Sequence, residues 1–460
     1  MIGIWKRAER NGAAYYTRDT GIVPEWRFWA NVHEIAPKGG KKRIVLIGES
    51  VARGYFYDPN YTVAEELAGI LKKVEGFPEA EVIDLARAGL NMSGLLQLIR
   101  CCPALEPDAV VLFAGNNWGT EREADINKVL ADIYNAYRQA SFRGAKSLPE
   151  KKLKDEVMQL LKEVAGVLVS RDIPVVFVIP EFNLYDWKSD EFERVPLRLS
   201  GDGLSRWVNA RKAAESARDA GDLAGAAAAA EVLLDLDPSN PLGYEYLADC
   251  YIREGRQQEA RTLLESVRDT QLLSKSTATK PRCYTVIQDT LRQEAGRHGI
   301  GLVDLPLLFQ ERNAQLPDRE LFLDYCHLTL KGIRMAMSGV AAWLAGREVA
   351  AMPESGITPA REVLGIAHFC AAIHNAHRGQ PAEIVQYHCR QALSFSPEVR
   401  RLMSLFVDFS SRTASSIFCK SFEELVIGGE LRQNERGLGL IHPEGRKLMD
   451  VELVVFLIVL

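Results

Sequence analysis

A serine, a histidine and an aspartate that together could perform acyl transfer occur far apart in this chain. Ser50 directly follows the apolar run 44–47 and the pair Gly48-Glu49. Asp324 precedes His327 by three residues, so one turn of chain can bring its carboxylate to the imidazole. Acyl transfer needs a nucleophile, a base that takes its proton and a group that orients the base. The residue types therefore predict Ser50 as nucleophile, His327 as base and Asp324 as the orienting group.

Acyl transfer also needs hydrogen-bond donors for the oxyanion. The backbone N–H groups of Ser50 and Gly89 and the side-chain amide of Asn117 are candidates, and a glycine at 89 allows close backbone approach. Each candidate follows a predicted strand, where open α/β sheets place their chemistry. Purely structural roles are the alternatives: Ser50 or Asn117 could cap a helix, and Asp324 with His327 could merely begin one.

The elements that must position these residues alternate between strand and helix. Apolar runs predict strands at 44–47, 80–85, 108–114, 173–179 and 301–305. Helical patterns lie between or after them, at 61–74, 93–101, 121–140, 149–170, 282–298 and 329–344. Strands separated by helices predict an α/β fold with a parallel sheet and right-handed crossovers.

A wholly helical sequence pattern interrupts the predicted sheet domain after its fourth strand. Gly221 and Gly255 are spaced by 34 residues, as are Ala226 and Ala260. This period and its small residues fit the tetratricopeptide repeat, with a plain Ala-rich helical hairpin as the alternative. Two repeats are too few to form an independent solenoid, so we expect them to pack against the sheet domain.

Four short blocks, taken in order, resemble those of the SGNH (GDSL-type) hydrolases. They are Gly48-Glu49-Ser50, Gly89, Gly115-Asn116-Asn117-Trp118 and Asp324-Tyr325-Cys326-His327. The chain looks most like bacterial members that carry tetratricopeptide repeats and a Pro-X-X-Asn-Leu segment, matched here at 180–184. The sequence departs from the family pattern at three positions. Glu49 stands in the first block in place of the usual Asp, and Trp118 stands where the third block often ends in an acid. Leu328 follows the histidine where proline is common. The resemblance covers about residues 40–345.

The resemblance implies a three-layer α/β/α sandwich with a flavodoxin-like parallel sheet and no cofactor or metal. It implies hydrolysis of a small-molecule or carrier-bound acyl ester through an acyl-serine. Ser50, His327 and Asp324 would be the catalytic triad, and Ser50, Gly89 and Asn117 the oxyanion hole. Four further residues are candidates for the substrate pocket: Glu49, Asn91, Trp118 and Asn183. Trp118 is expected to reshape the rim of that pocket.

The predicted organisation has five parts. Residues 1–40 form an extension packed on the main domain, with a ligand platform as the alternative. The hydrolase domain spans 41–199 and 276–346, the helical insertion 200–275, and a mainly helical region of unassigned role 347–460. In that region His374 and His377 share a helix face, which can suggest a metal, but structural or solvent-facing histidines are favoured. The apolar segment 451–460 is about half the length of a membrane-spanning helix and is expected to be a buried strand or docked tail.

Composition limits the function. The net charge of −5, from 56 basic and 61 acidic residues, gives no electrostatic case for nucleic-acid binding. Eight cysteines without a CxxC pair favour free thiols, and with no signal-peptide pattern they predict a cytoplasmic protein. Three functions remain open: a serine esterase, an acyltransferase that uses the same acyl-serine, and an idle scaffold whose repeats bind a protein partner.

Overall fold

A parallel sheet forms the centre of the molecule in the computed structural model, which describes residues 1–10, 12–19, 28–119, 126–196, 198–273, 281–312, 315–411 and 457. Within these residues a three-stranded antiparallel sheet precedes a five-stranded parallel one. The antiparallel strands are β1 Trp5–Arg10, β2 Ala13–Arg18 and β3 Glu34–Ile35. The parallel strands are β4 Arg43–Gly48, β5 Glu81–Asp84, β6 Ala109–Phe113, β7 Val175–Ile179 and β8 Gly301–Asp304. The parallel strands lie in the order β5-β4-β6-β7-β8, which places β4 and β6 at the centre.

Among the described residues, helices follow the strands of the parallel sheet and make up most of the insertion and of the C-terminal region. In the sheet domain they are α1 Ser50–Arg53, α2 Val63–Leu71, α3 Met92–Cys101, α4 Ile126–Val167, α9 Thr285–Glu294, α10 Leu305–Glu311 and α11 Leu330–Ala345. The insertion consists of α5 Gly201–Asp219, α6 Leu223–Leu236, α7 Pro241–Arg253 and α8 Gln257–Thr270. The C-terminal region contains α12 Arg361–His377, α13 Ala382–Phe395 and α14 Val399–Ser411. Among the described residues, no helix is both long and apolar enough to cross a bilayer.

Two hydrophobic cores cover the two faces of the parallel sheet. Successive residues of a strand point to opposite faces, so both sets of side chains of β4 are buried. Ile44 and Leu46 join the core that contains α2 and α11, whereas Val45 and Ile47 join the core that contains α3, α4 and α9. The predicted parallel α/β sheet with its helices is confirmed. Its strands are almost continuously apolar, and such strands must be covered by helices on both faces of the sheet.

Two parts of the chain differ from the prediction. The helices expected at 121–140 and 149–170 are one helix, α4, with Pro149 inside it; residues 120–125 lie outside the described part. Pro149 removes one backbone donor but does not end the helix, because Leu153, Val157 and Leu160 beyond it are buried on the sheet.

The N-terminal extension contains β1–β3, which the sequence analysis missed. It packs on the sheet domain, where the Ala30 N–H donates to the Ala86 carbonyl.

The C-terminal region is mainly helical over its described residues, as predicted. Its helices α12, α13 and α14 join the same core as α2 and α11, so this region packs directly on the sheet domain. The apolar segment predicted as a strand or docked tail lies outside the described residues, except for Leu457, which is buried.

The end of β4 requires a glycine because two neighbours crowd it. A Cβ at Gly48 would lie 2.2 Å from the Phe113 carbonyl oxygen and 2.5 Å from the Ala52 Cβ. No side chain fits at these distances, so the chain must turn from strand to helix at Gly48 without one. The turn delivers Ser50 to the first position of α1.

We predict that Gly48→Ala destabilises the protein by about 1–3 kcal/mol or more, because the methyl group forces backbone shifts at the centre of the sheet. Urea unfolding followed by circular dichroism measures the change. Gly166→Ala is the matched control: its Cβ would meet nothing within 4 Å, and it should stabilise α4 by about 0.5–1 kcal/mol. Equal effects of the two substitutions would contradict the role given to Gly48.

Candidate active site

A continuous hydrogen-bonded chain joins Ser50, His327 and Asp324. The Ser50 Oγ lies 2.8 Å from the His327 Nε2, and the His327 Nδ1 lies 2.7 Å from the Asp324 Oδ2. Ser50 is half-buried at the start of α1, and Asp324 and His327 lie in the loop before α11. The fold thus brings together residues that are 277 positions apart in the chain.

The Asp324 carboxylate is held from several sides within the protein interior. Its Oδ1 accepts hydrogen bonds from the backbone N–H groups of Cys326, at 2.9 Å, and His327, at 2.8 Å. Burial opposes ionisation, but the charge and hydrogen bonds of His327 outweigh it and lower the pKa of Asp324 to about 2. Asp324 is therefore a carboxylate at neutral pH, and it fixes His327 Nδ1 as the donor nitrogen. That tautomer leaves Nε2 as the acceptor for the Ser50 proton.

A second buried carboxyl group, that of Glu49, joins the end of β4 to the loop after β6. It accepts hydrogen bonds from the backbone N–H groups of Gly115, Asn116 and Asn117, at 3.0, 2.9 and 3.2 Å. Complete burial raises the pKa of Glu49 to about 7, and these three hydrogen bonds act in the opposite direction. The side chain therefore braces the loop that carries Asn117.

The remaining two sequence blocks are linked through Asn117. Its Nδ2 donates to the Leu90 carbonyl at 3.2 Å, which ties this amide to the residue after Gly89. Gly89 is exposed and has a φ of +66°, a left-handed conformation that favours glycine. The side-chain amide has two N–H groups, and this contact with Leu90 fixes the orientation of the group.

Of the four residues predicted for the substrate pocket, three are buried and the fourth, Asn91, is partly exposed at a helix end. Glu49, Trp118 and Asn183 are buried, each at most 3% exposed. The ring of Trp118 packs edge-on against Phe177 in the core, so it does not reshape a pocket rim. Asn91 caps α3 by accepting a hydrogen bond from the Gly94 N–H. The side chains of Glu49, Trp118 and Asn183 therefore point into the fold, and that of Asn91 completes a helix end.

Asn183 holds the segment that carries Asp324 and His327. Its Nδ2 donates to the Asp324 carbonyl at 3.1 Å, and its backbone N–H donates to the Tyr325 carbonyl at 2.9 Å. Its Oδ1 accepts from the Asp186 N–H. Asn183 thus connects the end of β7 to the loop before α11.

The sequence analysis missed the aromatic and imidazole rings around His327. Tyr55 stacks on the His327 ring with centroids 4.2 Å apart, and Phe56 meets it edge-on at 5.6 Å. Phe56 has a φ of +78°, which is uncommon for a bulky residue. His374 from α12 lies beside Asp324 and is buried, so it is not solvent-facing. The Tyr55-Phe56 pair one turn after Ser50 is a local signal that could have indicated these contacts.

Metal-ligating atoms of Asp324, Cys326 and His327 lie within 4.8 Å of one another. Burial raises the pKa of Cys326 well above its ordinary value, which keeps the thiol protonated. The His327 Nδ1 and the Asp324 Oδ2 are already joined to each other. The arrangement is therefore better suited to proton transfer than to holding a metal ion.

Comparison with known proteins supports the predicted helical repeat and gives no family for the sheet domain. The tetratricopeptide repeat family model matches residues 217–272, which confirms the predicted repeat. No curated protein sequence matches the chain. The chain is similar to the lipase/acylhydrolase from Enterococcus faecalis (15% identity, 68% of this chain and 98% of that one, TM-score 0.30). It is also similar to LAE5, an α/β hydrolase enzyme from the metagenome of Lake Arreo, Spain (13% identity, 66% and 95%, TM-score 0.31). Similarities with such low TM-scores carry no argument about this chain.

We predict that Asp324→Asn lowers the free energy of unfolding by about 2 kcal/mol at pH 7. A folded-state pKa of about 2, below the ordinary 3.8, contributes stability that is present above pH 3.8 and is lost as pH falls through 2. About half of the difference in the free energy of unfolding between the wild type and Asp324→Asn should be lost by pH 3. Urea unfolding at pH 7, 4 and 3 measures it, and a difference that grows on acidification would contradict the assignment.

Proposed function

We propose that this protein is a serine esterase that hydrolyses an acyl ester through an acyl-serine intermediate. The observation that carries the proposal is the continuous chain of 2.8 and 2.7 Å contacts from the Ser50 Oγ through His327 to Asp324. Nucleophile, base and orienting carboxylate are each within hydrogen-bond reach of the next, which is the geometric criterion for such a site.

In the proposed reaction, the Ser50 Oγ attacks the ester carbonyl carbon while His327 Nε2 takes the hydroxyl proton. The tetrahedral intermediate then collapses: the carbon–oxygen bond to the leaving alcohol breaks, and His327 returns its proton to that alcohol. Water attacks the acyl-serine in the same way, with His327 again as base, and releases the acid. Asp324 stays ionised and stabilises the transient imidazolium. Transfer of the acyl group to another alcohol or amine would use the same residues.

The oxyanion donors in this proposal are the backbone N–H groups of Ser50 and Gly89 and the Nδ2 of Asn117. Ser50 N–H lies at the start of α1, where the helix leaves its first N–H groups without intrahelical partners. Glu49 and Leu90 restrain Asn117 from two sides, so its amide is positioned before substrate binds. Such preorganised donors stabilise negative charge without reorganisation during the reaction.

We assign the sheet domain to the SGNH (GDSL-type) hydrolases within this proposal. Counted along the chain, its parallel strands have the order 2-1-3-4-5, which is the flavodoxin-like order. Helices on both faces fit a three-layer sandwich. The hydrolase domain would comprise residues 41–199 and 276–346. The tetratricopeptide match supports a further role for the insertion, the binding of a protein partner.

We predict that Ser50→Ala abolishes hydrolysis of short- and medium-chain p-nitrophenyl esters without altering the thermal unfolding temperature. The substitution removes the attacking oxygen and leaves the half-buried backbone in place. Intact mass after treatment with a fluorophosphonate should show one adduct on the wild type and none on Ser50→Ala.

Ser205→Ala is the matched control, because Ser205 is an exposed serine on α5 in the insertion. This variant should keep wild-type turnover and labelling. Turnover by Ser50→Ala close to that of the wild type would exclude Ser50 as the nucleophile.

We predict that Asn117→Ala lowers kcat by ~10²–10³ with little change in KM. The oxyanion forms only after attack, so its donors stabilise the transition state rather than bound substrate. Steady-state kinetics with the same esters separates the two parameters. A rise in KM at constant kcat would show that Asn117 binds substrate instead.

A further inference from the structure

The carboxylate of Asp324 faces a second histidine, and that histidine belongs to the C-terminal helical region. The His374 Nδ1, on α12, lies 3.3 Å from the Asp324 Oδ2, the same oxygen that binds His327. The His374 ring is enclosed by Phe56 and Tyr325, with ring centroids 5.7 Å from each. This contact extends the site beyond the three residues that the proposed reaction uses.

The residue after His374 fixes α12 on the same loop. The Asn375 Nδ2 donates to the Leu323 carbonyl at 2.8 Å and to the Ala371 carbonyl within the helix at 2.8 Å. Two consecutive residues of α12 therefore contact the two consecutive residues Leu323 and Asp324. A histidine held in this way has little freedom to move away from the carboxylate.

The surroundings determine which ring nitrogen of His374 carries the proton. Burial lowers the pKa of His374 to about 3, so the ring is neutral at physiological pH. A lone pair on Nδ1 would face the carboxylate oxygen across 3.3 Å in the protein interior, which is repulsive. A proton on Nδ1 makes the same contact attractive. In this structure the His374 Nδ1 has no hydrogen-bond partner among the described residues. Leaving a buried donor unpaired is costly, which favours closing the 3.3 Å contact with the Asp324 Oδ2 into a hydrogen bond.

We propose that His374 is a positioning residue of the active site, whose Nδ1–H donates to the Asp324 Oδ2 and holds the carboxylate in place for His327. The inference rests on the proposed esterase function and gives the C-terminal helical region a role in it. When His327 becomes charged during attack, a carboxylate restrained by two histidines stays coplanar with the imidazolium. The donor on His374 therefore acts on the rate of the chemical step and not on substrate binding.

Four variants of His374 and its helix test this proposal by steady-state ester kinetics. Asn carries its amide nitrogen on Cγ, as histidine carries Nδ1, whereas Gln carries it one atom further out, as histidine carries Nε2. We expect His374→Leu and His374→Gln to lower kcat about 10- to 100-fold with KM within twofold, from the typical strength of a hydrogen bond to a charged group. His374→Asn should restore kcat to within about threefold of wild type. His377→Leu, one turn further along α12, is the matched control and should leave kcat unchanged.

The comparison of His374→Asn with His374→Gln keeps the test valid if the leucine variant does not fold. Equal kcat values in these two variants, or a wild-type kcat in His374→Leu, would overturn the inference while wild-type turnover still supports the esterase. Absence of turnover and of fluorophosphonate labelling in the wild type would overturn the proposed function, and the inference with it. Thermal unfolding of each variant identifies a loss of kcat that merely follows a loss of structure, which would also count against a positioning role.

Discussion

The structure depends on keeping one ionised carboxylate, that of Asp324, in the protein interior. Taking a carboxylate out of water costs several kcal/mol unless hydrogen bonds and an opposite charge compensate. Here the backbone N–H groups of Cys326 and His327 and the ring of His327 supply that compensation. The donors come from the loop itself, but their geometry is imposed by what surrounds the loop. The end of β7 contacts it through Asn183, and α12 contacts it through Asn375.

Glu49 shows the same principle at the neighbouring strand ends. Its carboxyl group is as deeply buried as that of Asp324, yet it meets only neutral backbone N–H groups and no cation among the contacts described above. Burial therefore raises the pKa of Glu49, whereas His327 lowers that of Asp324. The two acids have different tasks. Glu49 connects β4 to the loop after β6, and Asp324 holds the ring of His327.

The helical insertion is attached to the same edge of the sheet through buried charges. Arg261 of α8 forms an ion pair with Glu181, which follows β7, and both side chains are at most 3% exposed. Where the chain returns, the Arg282 N–H donates to the Asn116 carbonyl at 2.8 Å, next to the proposed oxyanion donor Asn117. Breaking a buried ion pair by removing one partner costs about 3–5 kcal/mol. The insertion is therefore bound firmly to the loops that carry the site.

Local patterns were enough to predict the strands of the parallel sheet and the 34-residue repeat, and to single out Ser50, Asp324 and His327, which the fold brings together. An apolar run, or a carboxylate three positions before a histidine, lies within a few neighbouring residues, and the repeat shows as small residues that recur after 34 positions. The same patterns could not show that Pro149 lies inside α4, because burial of the helix beyond it overrides the local cost. Short blocks and the resemblance they carry likewise could not show that the side chains of Glu49, Trp118 and Asn183 are buried.

What the sequence by itself determined is therefore the set of chemical groups and the class of fold that can present them. Only the tertiary structure decided which of those groups meet. Ser50 reaches His327 across 277 residues because β4 and the loop before α11 end at the same edge of the sheet. His374 approaches Asp324 because α12 packs on the core that contains α2 and α11. Such contacts depend on the packing of distant segments and leave no periodic or local mark in the sequence.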